Sequence, residues 1–97
     1  MKAHDLKTWP EPFQEVIEGR KRHEIRVDDR EFSVGDLLRL REWKPGFCMP
    51  LDGDYTGREI TVRVTYKTPS GQWGLPALLC VLSIVPVDGT QIGATYP

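Results

Sequence analysis

The sequence predicts a small α+β fold, a mixed β-barrel of about five strands with one N-terminal helix flanking a cleft. Three observations lead there. One helix-spaced apolar stripe lies early, at Phe13, Val16 and Ile17. Four or five segments of strand character follow it. The chain has 97 residues, which suits one domain, and strands in so short a chain tend to close or half-close so that few edges stay open. The expected organisation is one domain over residues 1–97, with its core in about 3–85 and an irregular tail over 86–97.

Each element follows in order. Residues 3–7 can form a first strand. Thr8 and Glu11 have capping-box spacing around Pro10, so a helix is expected over 10–18, and Gly19 stands where a left-handed residue would end it. Residues 23–27 have period 2 and read as a strand. Asp28-Asp29-Arg30 is a turn, Phe32 and Val34 alternate, and Gly35-Asp36 is another turn. In 37–43, Leu38, Leu40 and Glu42 share one face, and Leu37, Arg39, Arg41 and Trp43 the other. Residues 44–57 read as a long loop in which Phe47, Met49 and Leu51 tuck onto the barrel or form a contact patch and Cys48 can be exposed. Residues 58–67 form the clearest strand, with Ile60, Val62, Val64 and Tyr66 inward and a wet face opposite. TPSGQWGLP is a second loop, with Trp73 as a lid on the core or a wall of the cleft. Residues 77–85 are almost wholly apolar and read as a strand buried on both faces, with Cys80 as a small core hydrophobe.

Composition narrows the function. Net charge is −1, with 39% hydrophobic and 28% charged residues, so contact with nucleic acid has to be local rather than spread over a basic surface. Two scattered cysteines form no disulfide framework and no zinc spacing. No cofactor or metal is expected. The start lacks the apolar core of a signal peptide, and no run approaches the ~18–20 apolar residues of a membrane span. A cytoplasmic location is the expectation.

The densest chemistry is EGRKRHEIR, residues 18–26. Gly19 permits a sharp exit from the helix, and Arg20, Lys21 and Arg22 follow in the turn. By strand parity Glu24 and Arg26 share one face and Ile25 points the other way, with His23 beside it. Ile25 is expected to face the core, leaving Glu24 and Arg26 paired on the opposite face with Lys21 leaning over them. A basic turn is usually solvated, and an exposed Glu–Arg pair contributes under about 1 kcal/mol. Clustering directly after the helix, beside a barrel mouth, makes it the candidate site.

Gly19-x-Lys21-x-x-Glu24-x-Arg26 resembles the G-x-K-x-x-E-x-R signature of the ASCH domain, within the PUA-like β-barrel superfamily. His4-x-Leu6-Lys7, Phe13, Asp29-Arg30-x-Phe32, Val34-Gly35-Asp36, Glu42-Trp43 and Tyr55-Thr56-Gly57-Arg58-Glu59 extend the likeness. They point to a small phage and bacterial branch of unknown function, over roughly residues 3–85. The resemblance implies a cleft beside the helix lined by the motif, with His4 near Lys21, and RNA as ligand. Some members are enzymes. One group hydrolyses N4-acetylcytidine, using a threonine where this chain has Glu24; another is described as ribonucleases.

Two functions result. In the first, the chain is a module binding RNA or a nucleoside or nucleotide. Arg20, Lys21, Arg22 and Arg26 meet phosphate, Glu24 accepts from a base or orients Arg26, and Trp43, expected to be partly exposed, stacks on a base. In the second it is a small hydrolase acting on a modified nucleoside or on RNA. Lys21 then serves as base or oxyanion partner, and Glu24 as general acid/base. A protein-interaction role is a third possibility, for which no residue names a partner.

Overall fold

The computed structural model describes residues 1–46 and 52–87, so Phe47, Cys48, Met49, Leu51 and the tail beyond Val87 lie outside the described residues. The elements are β1 (Ala3–Thr8), α1 (Pro10–Ile17), β2 (His23–Val27), β3 (Leu37–Pro45), β4 (Gly53–Thr68) and β5 (Leu79–Pro86). They form a five-stranded sheet in the order β1-β3-β4-β5-β2, curled into a half-barrel. β1 pairs β3 in parallel; the other pairings are antiparallel. β1 and β2 are therefore the two edges, and α1 is the crossover that joins them.

The concave face holds the core. His4, Leu6 and Thr8 of β1, Leu38 and Leu40 of β3, Ile60, Val62 and Val64 of β4, and Cys80, Leu82 and Ile84 of β5 all point into it. Phe13 and Val16 of α1 and Phe32 from the 28–36 loop fill the middle. Arg58 holds the helix in place by donating to Gln14 Oε1 at 2.9 Å while its guanidinium lies 5.0 Å over the Phe13 ring. Lys67 Nζ holds the 28–36 loop through Asp28 Oδ1 at 3.1 Å and the Phe32 carbonyl at 2.9 Å.

Several expectations change. The helix cap is Trp9, with no side-chain cap bond, because Thr8 is still in β1 and its side chain is committed to the barrel interior. Gly19 does end the helix, at φ 80°. β4 starts at Gly53 instead of residue 58, since Gly53, Asp54 and Tyr55 pair with Pro45, Lys44 and Trp43. A Cβ at Gly53 would overlap the Lys44 carbonyl and approach the Trp43 ring to 2.6 Å, so this close strand pair depends on that glycine. Tyr66 points outward because the β4–β5 register shifts between Val64 and Tyr66. β5 is buried on one face only: none of the described residues covers the convex side of the half-barrel there, so Leu79, Val81 and Ser83 stay half-buried. Trp73 is 86% exposed at φ 55°, a loop-tip residue and no lid.

His4 and Asp36 tie the ends of β1 and β3 together. His4 Nε2 donates to Asp36 Oδ2 at 2.9 Å, and the backbone N–H groups of Lys2 and Ser33 each donate to the same carboxylate at 3.0 Å. Burial alone would raise the Asp36 pKa. These donors outweigh it and hold the group down at about 2. With the folded value below the unfolded value, the stabilisation is complete above pH ~4 and is lost as pH falls through ~2, an effect on the order of 2 kcal/mol. Asp36→Asn should lower stability at pH 7 and flatten its decline between pH 4 and 2. Urea melts across that range check this, and an unaltered acid decline in the variant would refute it.

Candidate functional site at the seam between the edge strands

β2 reaches the site through a short, closely bonded turn. The Gly19 N–H donates to Val16 O, and the N–H groups of Arg20 and Lys21 both donate to Glu15 O, at 3.0 and 3.1 Å. The chain then enters β2 against β5, with Glu24 opposite Leu82 and Arg26 opposite Cys80. Directly opposed residues of an antiparallel pair share a face. Leu82 and Cys80 are core residues, so Glu24 and Arg26 face the concave side, while Ile25, opposite Val81, faces solvent and is 53% exposed. Parity pairs Glu24 with Arg26, but the side expected for Ile25 was the reverse of the real one. Apolar character loses here because β5 sets the register and β2 cannot turn over without leaving it.

Glu24 is thus a buried carboxylate, 3% exposed. A carboxylate so placed costs several kcal/mol unless paired and hydrogen-bonded. Both oxygens are taken: Lys21 Nζ donates to Oε1 at 2.8 Å, and Arg26 Nε donates to Oε2 at 2.9 Å. Lys21 also donates to the His23 carbonyl. Among the described residues no backbone ladder joins β2 to β1. Arg26 Nη2 instead crosses the gap to the Lys7 carbonyl at 3.1 Å, with Thr8 Oγ1 at 3.4 Å, and Arg30 Nη1 crosses to the Asp5 carbonyl at 3.0 Å. The half-barrel is laced shut by two guanidinium groups.

A cleft of about 390 Å³ opens above this lacing, within the size range of small-ligand sites. Lys7, Thr8 and Trp9 contribute from β1 and its end, Lys21, Glu24 and Arg26 from the β2 side, and Pro12 from the helix. A hollow of about 160 Å³ lies on the other side of Arg26, with Asp29 and Arg30 on its rim and Leu6 and Phe32 in its wall. A third hollow, beside Arg22 and Ile84, has about 10 Å³, room for one water at most.

The structure brings Lys21, Glu24 and Arg26 together and separates the other expected site residues from them. Arg20 is turned back on the helix, bonded to Glu15 at 2.6 and 2.9 Å and to Glu18 at 2.9 Å, and these carboxylates push its pKa further up. Arg22 donates to the Gly19 carbonyl at 3.0 Å and borders the hollow of about 10 Å³, which Lys21 also lines, instead of the larger cleft. His4 belongs to the Asp36 pair, four residues and roughly 13 Å along β1 from Thr8. Trp43 is 5% exposed, against the expectation of partial exposure. The β3–β4 register shifts between Arg41 and Trp43, so Glu42 and Trp43 both turn inward, and Glu42 accepts from Thr56 Oγ1 at 2.7 Å. Trp43 still acts at second hand: Lys7 Nζ lies 4.2 Å over its ring, and its ring centroid is 6.3 Å from that of Trp9.

Sequence reading missed Trp9, Thr8 and Arg30. Trp9 is 50% exposed on the cleft wall. Its signal was its place between a strand end and the helix-starting Pro10, where a side chain projects from the junction. The site offers fixed cationic donors for an anion and a half-exposed indole for an aromatic ring. Among the described residues no group of three or more His, Cys, Asp or Glu could hold a metal, and no helix is long and apolar enough to cross a membrane.

A family model, described as a domain of unknown function (DUF3850), matches residues 3–84. A protein of Escherichia phage P2, the uncharacterized 12.9 kDa protein in the GpA 3′ region, is 38% identical over 72 residues, which is 74% of this chain. The chain spans about 60% of the length of that relative.

Trp9 and Trp43 should separate cleanly. Trp43→Ala removes a buried ring and should cost about 3–5 kcal/mol. Trp9→Ala should cost about 1 kcal/mol or less. Urea melts of both variants check this; similar losses would mean that Trp9 is a core residue.

Proposed function

The chain belongs to the DUF3850 family, and on that footing we propose that it is an ASCH-like, PUA-like module that binds RNA or a nucleotide in the cleft at the seam. One observation carries the reading. Glu24, buried, holds the Lys21 and Arg26 head groups side by side at the cleft, and the half-exposed Trp9 stands on the facing wall. A phosphate needs the first feature and a base the second. Arg26 commits Nε and Nη2 to Glu24 and β1, and its Nη1 takes part in neither bond, so it can donate to a phosphate oxygen. Lys21 supplies a second charge. Stacking on Trp9 would contribute about 1–3 kcal/mol per base. A near-neutral chain whose cleft carries Lys7, Lys21 and Arg26 fits a local contact of few phosphates. The motif Gly19-x-Lys21-x-x-Glu24-x-Arg26 supports the ASCH assignment in a specific way: its glycine makes the turn, and its three polar side chains form one bonded unit.

Hydrolysis of a modified nucleoside is the weaker reading. Both Glu24 oxygens already accept from cations, and Lys21 is engaged with Glu24 and the His23 carbonyl. Neither group is placed to take a proton from a substrate. The site is arranged to hold charge still, which suits binding. A cytoplasmic place of action accords with an RNA ligand.

Binding is expected to fall with salt with a slope near −0.7 per phosphate contacted, for two or three phosphates. Lys21→Ala and Trp9→Ala should each weaken short single-stranded RNA by about 10- to 100-fold, and Trp9→Ala should leave the salt slope unchanged. Fluorescence anisotropy at two salt concentrations measures this. Absent binding, or binding unaffected by both variants, would overturn the proposal; turnover of acetylated cytidine lost in Lys21→Ala would favour the hydrolase.

A further inference from the structure

We propose that the seam carries a second phosphate subsite, centred on Arg30, so that the ligand is a segment of single-stranded RNA spanning at least two nucleotides rather than a free nucleoside or mononucleotide. This rests on the nucleotide-binding reading above and specifies its substrate class.

The spacing of the lacing arginines is the basis. Arg26 and Arg30 anchor to the carbonyls of Lys7 and Asp5, two residues apart on one strand. That separation is about 6.6 Å along β1, of the same size as one phosphate-to-phosphate step along an extended nucleic-acid strand. Arg26 borders both the larger cleft and the smaller hollow, which therefore form one track past a shared guanidinium. The larger part takes a base against Trp9. The smaller part, about 160 Å³, is half the larger or less and takes the neighbouring backbone unit. Arg30 uses Nη1 on the Asp5 carbonyl, and its Nε lies 3.7 Å from Asp29 Oδ1. Its fork is held in orientation by β1, with Nη2 in neither contact. Asp29 lessens the positive field there, so the second step should be a modest one. It also gives this end of the track an acceptor for a ribose hydroxyl, the group that distinguishes RNA from DNA.

The test compares uridine 5′-monophosphate, the 5′-phosphorylated dinucleotide and a 5′-phosphorylated octanucleotide of uridine, titrated into the full chain. Variants are Arg30→Ala and Arg30→Gln. The glutamine keeps a donor for the Asp5 carbonyl and removes the charge, so it separates a ligand contact from a role in closing the seam. The expected result is a five- to tenfold tighter Kd for the dinucleotide than for the mononucleotide, with a salt slope larger by about 0.7. Both gains should vanish in Arg30→Gln and Arg30→Ala, while mononucleotide affinity in Arg30→Gln, which keeps a donor to β1, stays within twofold. A dinucleotide that binds no tighter, or a gain that survives Arg30→Gln, overturns the second subsite and leaves the first standing. A mononucleotide weakened as much as the dinucleotide makes Arg30 a general structural clasp and also overturns it. If no uridine ligand of any length binds, the nucleotide reading itself has failed and the subsite falls with it.

Discussion

Everything at the seam depends on one buried carboxylate. Glu24 stands on an edge strand whose partner, β5, turns it into the concave face. An isolated charge there would be strongly unfavourable, so the fold must bring cations to it. Lys21 arrives from the helix exit and Arg26 from two residues along the same strand. Once Arg26 is oriented by Glu24, its outer edge can reach the Lys7 carbonyl across the gap. The charge pair that makes the site is thus also part of what closes the half-barrel. Removing the carboxylate would free both cations and slacken the seam.

This dual role explains why the edges stay unpaired without being left bare. A complete ladder between β1 and β2 would seal the barrel and abolish the cleft. Two open edges would invite pairing with other chains. Guanidinium groups bridging to backbone carbonyls satisfy the acceptors while keeping a gap wide enough for a ligand. The His4–Asp36 pair does the corresponding work at the far end of β1, where burial demands pairing. His4 is therefore spent on structure and not on the candidate site.

Much was legible in the residues themselves. The 3.6-residue stripe ending at Gly19 locates the helix, since a left-handed residue there is cheap only for glycine. Period 2 places β2 and the core of β4. Same-face parity joins Glu24 to Arg26 whichever way the strand turns. Legibility ends where register decides. Ile25 is apolar and Glu24 charged, so composition alone directs the wrong one inward. Trp43 looks outward by parity until the shift beside Glu42 turns it in. Trp9 has no periodic partner and becomes visible as a wall only when β1 and β2 approach each other.

The sequence by itself determined the α+β class, the sites of the helix and of the strands apart from the early start of β4, and the grouping of Lys21, Glu24 and Arg26, because turn chemistry and side-chain alternation are local. The tertiary structure alone decided which face of β2 is inside, which tryptophan meets solvent, and that Arg26 and Arg30 cross to β1. Those outcomes depend on strand order and register. They bring residues 18 to 25 positions apart within hydrogen-bond reach, and no local pattern encodes that approach.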